Sequence, residues 1–116
     1  MKLTYVIKFV ENMNRAVKFY RDDLGLALKF ESPGWSEFAT GETTLALHPA
    51  SEKNPAGSME LGFSAPDLQN FYQRMSAKGI QFSMPPKMQD FGGVLAQFID
   101  SEGGRCSVSG EHASAT

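Results

Sequence analysis

The chain carries one cysteine, two histidines and one tryptophan in 116 residues. A single thiol, Cys106, cannot close an internal disulfide, so the fold does not rest on an oxidising compartment. No apolar run reaches the roughly 20 residues that span a bilayer. The first residues open directly into a strand pattern. Charge of one sign is also missing: 11 Lys and Arg are scattered among 13 Asp and Glu, for a net of −2. No basic patch therefore marks a nucleic acid or an anionic membrane as partner. These absences lead to the expectation of a cytoplasmic, single-domain protein. Its 41% hydrophobic and 21% charged residues suit one ordinary globular core.

What is present is a module used twice. Met13, Ala16, Val17 and Tyr20 stand at i, i+3, i+4 and i+7, the spacing of one apolar stripe on a helix. Asn12 precedes the stripe as a candidate N-cap and Gly25 follows its end. Tyr5 to Val10 reads as the strand before this helix. After it come strands at Leu26–Glu31, Trp35–Thr40 and Thr43–His48, broken by Ser32-Pro33-Gly34 and by Gly41-Glu42. The polar stretch 50–58 reads as a linker. A second strand, Met59–Ala65, leads to Asp67 as cap and to the stripe Leu68, Phe71, Tyr72 and Met75, which ends before Gly79. Ile80–Met84 follows, and Pro85-Pro86 is expected to end that strand. Val94–Ile99, a turn at Asp100–Gly104 and Arg105–Ser109 complete the pattern, and 111–116 reads as a disordered tail.

Each module, 1–49 and 59–110, thus reads β-α-β-β-β. An α+β fold is expected, a mixed sheet curled around a cup-like cavity with the helices outside. Leu3, Tyr5, Ile7 and Phe9 alternate with Thr4, Val6, Lys8 and Val10, so both faces of the first strand are largely apolar and both should be covered. Lys8 is the exception, its stem expected to pack and its ammonium to reach an edge.

The order Val10-Glu11-Asn12, Ala16, Phe19-Tyr20 and Leu24-Gly25-Leu26, then Phe91-Gly92 before Phe98-Ile99-Asp100-Ser101-Glu102-Gly103-Gly104, resembles the glyoxalase / bleomycin-resistance / extradiol-dioxygenase superfamily, the vicinal oxygen chelate proteins. The resemblance runs from Lys2 to Ser109. It implies paired modules, a homodimer, a ligand in the cup, and in many members a divalent metal on three or four His, Glu or Gln ligands. Carried over position by position, those ligands fall on Tyr5, Ala46, Glu60 and Ser107. Only Glu60 is a ready ligand, whereas a transition metal needs at least three good donors. No metal and no cofactor are expected.

His48 lies two residues beyond Ala46, hence on the same face. It is a candidate acid–base or ligand partner for Glu60; the plainer reading is that it closes its strand before Pro49 and hydrogen-bonds. His112, in the tail, is assigned no role. Tyr5, Ile7, Ala46, Glu60 and Ser107 are expected to line the cavity, with Trp35, Phe38, Phe91 and Phe98 as candidate walls. For Phe38 and Phe98 core packing competes with that role. Cys106 should face away from Ser107, towards the helices. The resulting expectation is a metal-free binder of an organic ligand, like the bleomycin-resistance branch, which takes cationic aromatic compounds. The alternative is a metal-dependent lyase of the lactoylglutathione-lyase type, with Glu60 and His48 as catalytic residues.

Overall fold

A computed structural model describes residues 1–90 and 92–110. Phe91 and the tail 111–116 lie outside the described residues. The fold is α+β and divides into two compact units, Thr4–Glu60 and Leu61–Thr116 with Met1–Leu3.

In the first unit β1 (Lys2–Val10) leads to helix α1 (Met13–Lys18), which continues into one π-helical turn at Phe19–Asp23; β2 (Ala27–Phe30), β3 (Ser36–Ala39) and β4 (Thr44–Pro49) follow. The strand order is β2-β3-β4-β1. β4 runs parallel to β1, and β3 is antiparallel to both β4 and β2. Asn12 caps α1 by accepting the Arg15 N–H at 3.0 Å on Oδ1, as its side-chain type favours. The stripe lands where its spacing puts it. Val17 packs with Phe38 and Leu47 in a buried cluster, and Met13, Ala16 and Tyr20 pack against that cluster.

The second unit repeats the plan with β5 (Met59–Ala65), α2 (Leu68–Ala77), β6 (Phe82–Met88), β7 (Val94–Ile99) and β8 (Arg105–Gly110). Its order is β5-β8-β7-β6, with β5 parallel to β8 and the other two pairs antiparallel. Asp67 caps α2 through the Asn70 N–H at 3.0 Å. Gly79, at φ +93°, closes the helix: its N–H reaches the Ser76 carbonyl, and the Ile80 N–H reaches that of Met75. This is the paired C-terminal motif that needs a left-handed residue. Leu68 and Phe71 are buried with Ala65, Ala96 and Val108, and Met75 packs against them. Tyr72 meets Phe82 edge-on at 4.8 Å.

One expectation needs correction. β6 does not stop at Pro85-Pro86 but runs on to Met88. It lies at the end of the strand order, with register shifts on both sides of Met84. An edge strand with bulges tolerates proline because its outward N–H groups need no ladder partner. The linker is also tied down, since Gly57 and Ser58 exchange backbone hydrogen bonds with Phe9 at 2.9 and 3.0 Å.

Phe38 has no exposed surface at the centre of the first cluster. Phe38→Ala should cost about 3–5 kcal/mol in urea unfolding. Asn12→Ala should cost about 1 kcal/mol, the usual loss of an N-cap.

Candidate functional site

Strand alternation sorts the first unit into two faces. Val10, Phe38, Leu45, Leu47 and Leu28 pack with α1. The register then puts Tyr5, Ile7, Phe9, Thr44, Ala46 and His48 on the other face, with Glu37 opposite Ala46 and Phe30 opposite Glu37.

On that face the side chains gather around one carboxylate. The Trp35 indole donates to Glu37 Oε2 at 2.7 Å. Lys29 Nζ lies 3.7 Å from Oε1. The register shift between Leu28 and Phe30 leaves Lys29 unmatched in the ladder, and such a bulge re-aims a side chain. Glu37 is shielded (19% side-chain exposure), whereas Lys29 is half exposed. Burial pushes the Tyr5 phenol above its usual range, and the negative charge and hydrogen bond of Glu37 push it further the same way. A phenol donating to a carboxylate is favoured in its neutral form.

The rings form a continuous set. Tyr5 meets Trp35 at 6.0 Å, Trp35 meets His48 at 6.1 Å, and His48 meets Phe9 at 5.5 Å, all edge-to-face. This is the favoured geometry for ring quadrupoles. His48 is exposed, and its Nδ1 is 2.9 Å from the Pro49 carbonyl oxygen. A carbonyl only accepts, so this contact is a hydrogen bond in the forms of the ring that carry a hydrogen on Nδ1. The plainer reading of His48, a ring that hydrogen-bonds beside Pro49, matches this geometry.

The remaining candidates divide. Ile7 is half-buried on the same face, in register with Ala46. Ala46 has no exposed surface, so it supports this face from below and offers a ligand no contact. Phe38 points to α1 and is not a wall. Phe98 is not a wall either: its ring packs with Phe63, Phe71 and Phe82 at 6.3, 6.0 and 5.8 Å in the core of the second unit. Both follow from strand parity, since Phe38 pairs with Leu45 and Phe98 shares a face with Ala96. Glu60 is 6% exposed, so it is no solvated edge charge. Ser107 is buried, in register with Gly62 and Gln97, while buried Cys106 pairs with Leu61 and Phe98 on the α2 side. Phe91 lies outside the described residues. Glu37 and Phe30 escaped the sequence reading. Once Phe38 is taken as core, parity alone sends Glu37 to the face of Tyr5.

The four positions that would carry a metal do not form a ligand set. Tyr5 is held as neutral phenol, Ala46 has no donor atom, Ser107 offers only a hydroxyl, and Glu60 is a single carboxylate. Among the described residues no three or more His, Cys, Asp or Glu side chains cluster to hold an ion. A divalent metal centre does not fit these residues.

The family model described as Glyoxalase/Bleomycin resistance protein/Dioxygenase superfamily matches residues 2–105, and the chain belongs to that superfamily. No curated protein matches it. Among solved structures it is similar to one described as NAD-dependent benzaldehyde dehydrogenase from Legionella pneumophila (24% identity, 93% of this chain and 98% of that chain, TM-score 0.75). It is also similar to a superfamily member from Vibrio splendidus (16%, 96% and 100%, 0.72). A third is Streptomyces coelicolor methylmalonyl-CoA epimerase (14%, 100% and 98%, 0.76). At such identities the likeness carries the fold and not the chemistry. No helix among the described residues is long and apolar enough to cross a membrane.

The Tyr5–Glu37 contact has a pH signature. Stability gained by keeping the phenol neutral is complete below the unfolded value near 10. It is lost as pH climbs from there through the higher folded value. A carbon-13 NMR titration should place the Tyr5 midpoint above that of a free tyrosine, and Glu37→Gln should move it down. A Tyr5 midpoint unaffected by Glu37→Gln would remove the contact from the account.

Proposed function

We propose that this superfamily member is a metal-free binding protein for an organic cation bearing an aromatic or apolar body, as in the bleomycin-resistance branch. Tyr5, Trp35 and His48, with Ile7 and Phe30, form the contact surface, and Glu37 is the counter-charge. The observation that carries the reading is the Glu37 carboxylate, shielded on an aromatic face and fixed by the Trp35 indole. A carboxylate in such surroundings attracts a cation more strongly than it would in open water, and the ring faces add cation–π attraction. Its present cation, Lys29, is a half-exposed partner of the weak kind and can be displaced.

Under this proposal the active form is a homodimer. The lyase reading would require Glu60 and His48 to work on a metal-bound substrate; the donor set above argues against it.

Trp35 is the chain's single tryptophan, so its emission reports on this face alone. Titration with benzyltrimethylammonium should shift or quench it to saturation, while the neutral neopentylbenzene should bind at least tenfold more weakly. Glu37→Gln should weaken the cation about tenfold, the loss of about 1.4 kcal/mol, and leave the neutral compound unchanged. Equal binding of both compounds, or stoichiometric metal in protein purified without chelators, contradicts the proposal.

A further inference from the structure

The helix side of the first unit holds a second concavity that the proposed cation site does not use. It has a volume of about 350 Å³ and lies between the end of β1, α1 and the segment at Ala56-Gly57. Its apolar lining is Val10, Ala16, Phe19 and Tyr20, and two cations, Lys8 and Arg15, stand on it.

Three features set this groove apart from ordinary surface. Lys8 lies on the helix-side parity of β1, between Val6 and Val10, with part of the residue buried and its ammonium at an exposed contact. Its Nζ donates to the Gly57 carbonyl at 3.0 Å. Among the described residues that carbonyl is its partner, so two of its three N–H donors remain for a ligand. Second, α1 widens into the π-helical turn where Phe19 begins, with Leu24 N–H bonded back to the Phe19 carbonyl at 3.0 Å. A π-turn of this kind closes the C-terminus of a helix, and here it presents the Phe19 ring. Phe19, at that turn, is 46% exposed and meets Tyr20 edge-on at 5.2 Å. Third, the charge balance of the lining is positive. Glu11 is the one acid there, 4.0 Å from Arg15 with both side chains more than two-thirds exposed, a pairing of little strength.

We infer that this groove binds an aromatic organic anion, its ring on Phe19 and Ala16 and its carboxylate or sulfonate between Lys8 and Arg15. An anion there gains two charge-assisted hydrogen-bond donors, and the ring covers Phe19. The volume admits a molecule of two or three fused or linked rings. The site has the opposite ligand charge to the Glu37 face and stands independently of it.

The test uses the full chain and two probes of the same ring system, 8-anilinonaphthalene-1-sulfonate and the uncharged N-phenyl-1-naphthylamine. The sulfonate should bind at one site per chain and at least tenfold more tightly than the amine. Lys8→Met, which keeps the stem, should weaken it about tenfold. Arg15→Gln should act in the same direction, and Glu37→Gln should leave it unchanged. Each variant's thermal melt checks folding; should Lys8→Met unfold, exposed Arg15→Gln carries the charge test alone. Equal affinity for both probes, or a sulfonate signal that neither variant changes, would mean an apolar surface without a site and overturns the inference. So would absent probe binding with a sedimentation coefficient that Phe19→Asp lowers, since a second copy would then cover the groove.

Discussion

A β-strand has two faces, and each module here has one helix to cover them. In the first unit α1 takes Phe38, Leu45 and Leu47, and the sheet's other face is left to side chains that must satisfy themselves. They do so around Glu37. A carboxylate placed mid-strand opposite Ala46 and Phe30 would be costly to bury alone. The Trp35 indole, the Tyr5 phenol and Lys29 supply donors and charge. Trp35 is thus held twice, by edge-to-face packing with Tyr5 and His48 and by donation to the carboxylate. That arrangement fixes the carboxylate among the rings of this face.

The same parity argument separates what was legible in the sequence from what was not. Helix stripes, both N-caps and the closing Gly79 were readable because each depends on local chemistry within a few residues. The resemblance carries ligand positions to Tyr5 and Ala46, and counting in twos adds His48 to the face of Ala46; in the register Ile7 stands beside Ala46 and Phe9 beside His48. Phe38 and Phe98 were ambiguous because an aromatic residue suits a core and a cavity wall equally. Only their neighbours across the sheet decide, and those neighbours come from other strands. Glu37 was missed although its parity was available, since a lone acid in a strand reads as surface until Phe38 is known to be core. Pro85-Pro86 misled for a related reason. A proline pair ends a central strand, and whether β6 is central or at an edge is a property of strand order, which no local pattern carries.

Membership of the superfamily rests on the whole-length match, and the chemistry rests on individual positions. At the four positions to which the resemblance carries metal ligands, this chain has a phenol, a methyl group, a hydroxyl and one buried carboxylate. The shielded carboxylate of the first unit's open face is instead Glu37, on β3. Glu37 is oriented by Trp35 and Tyr5 and needs no ion to hold it.

The most direct measurement is the indole N–H resonance of Trp35 in a proton–nitrogen correlation spectrum, a single peak in this chain. If Glu37 organises the face, that proton is shifted downfield and protected from exchange, and Glu37→Gln returns it towards the position of a free indole while the backbone spectrum outside this face stays in place. A peak already at the free position, exchanging rapidly and unmoved by the substitution, would contradict the account.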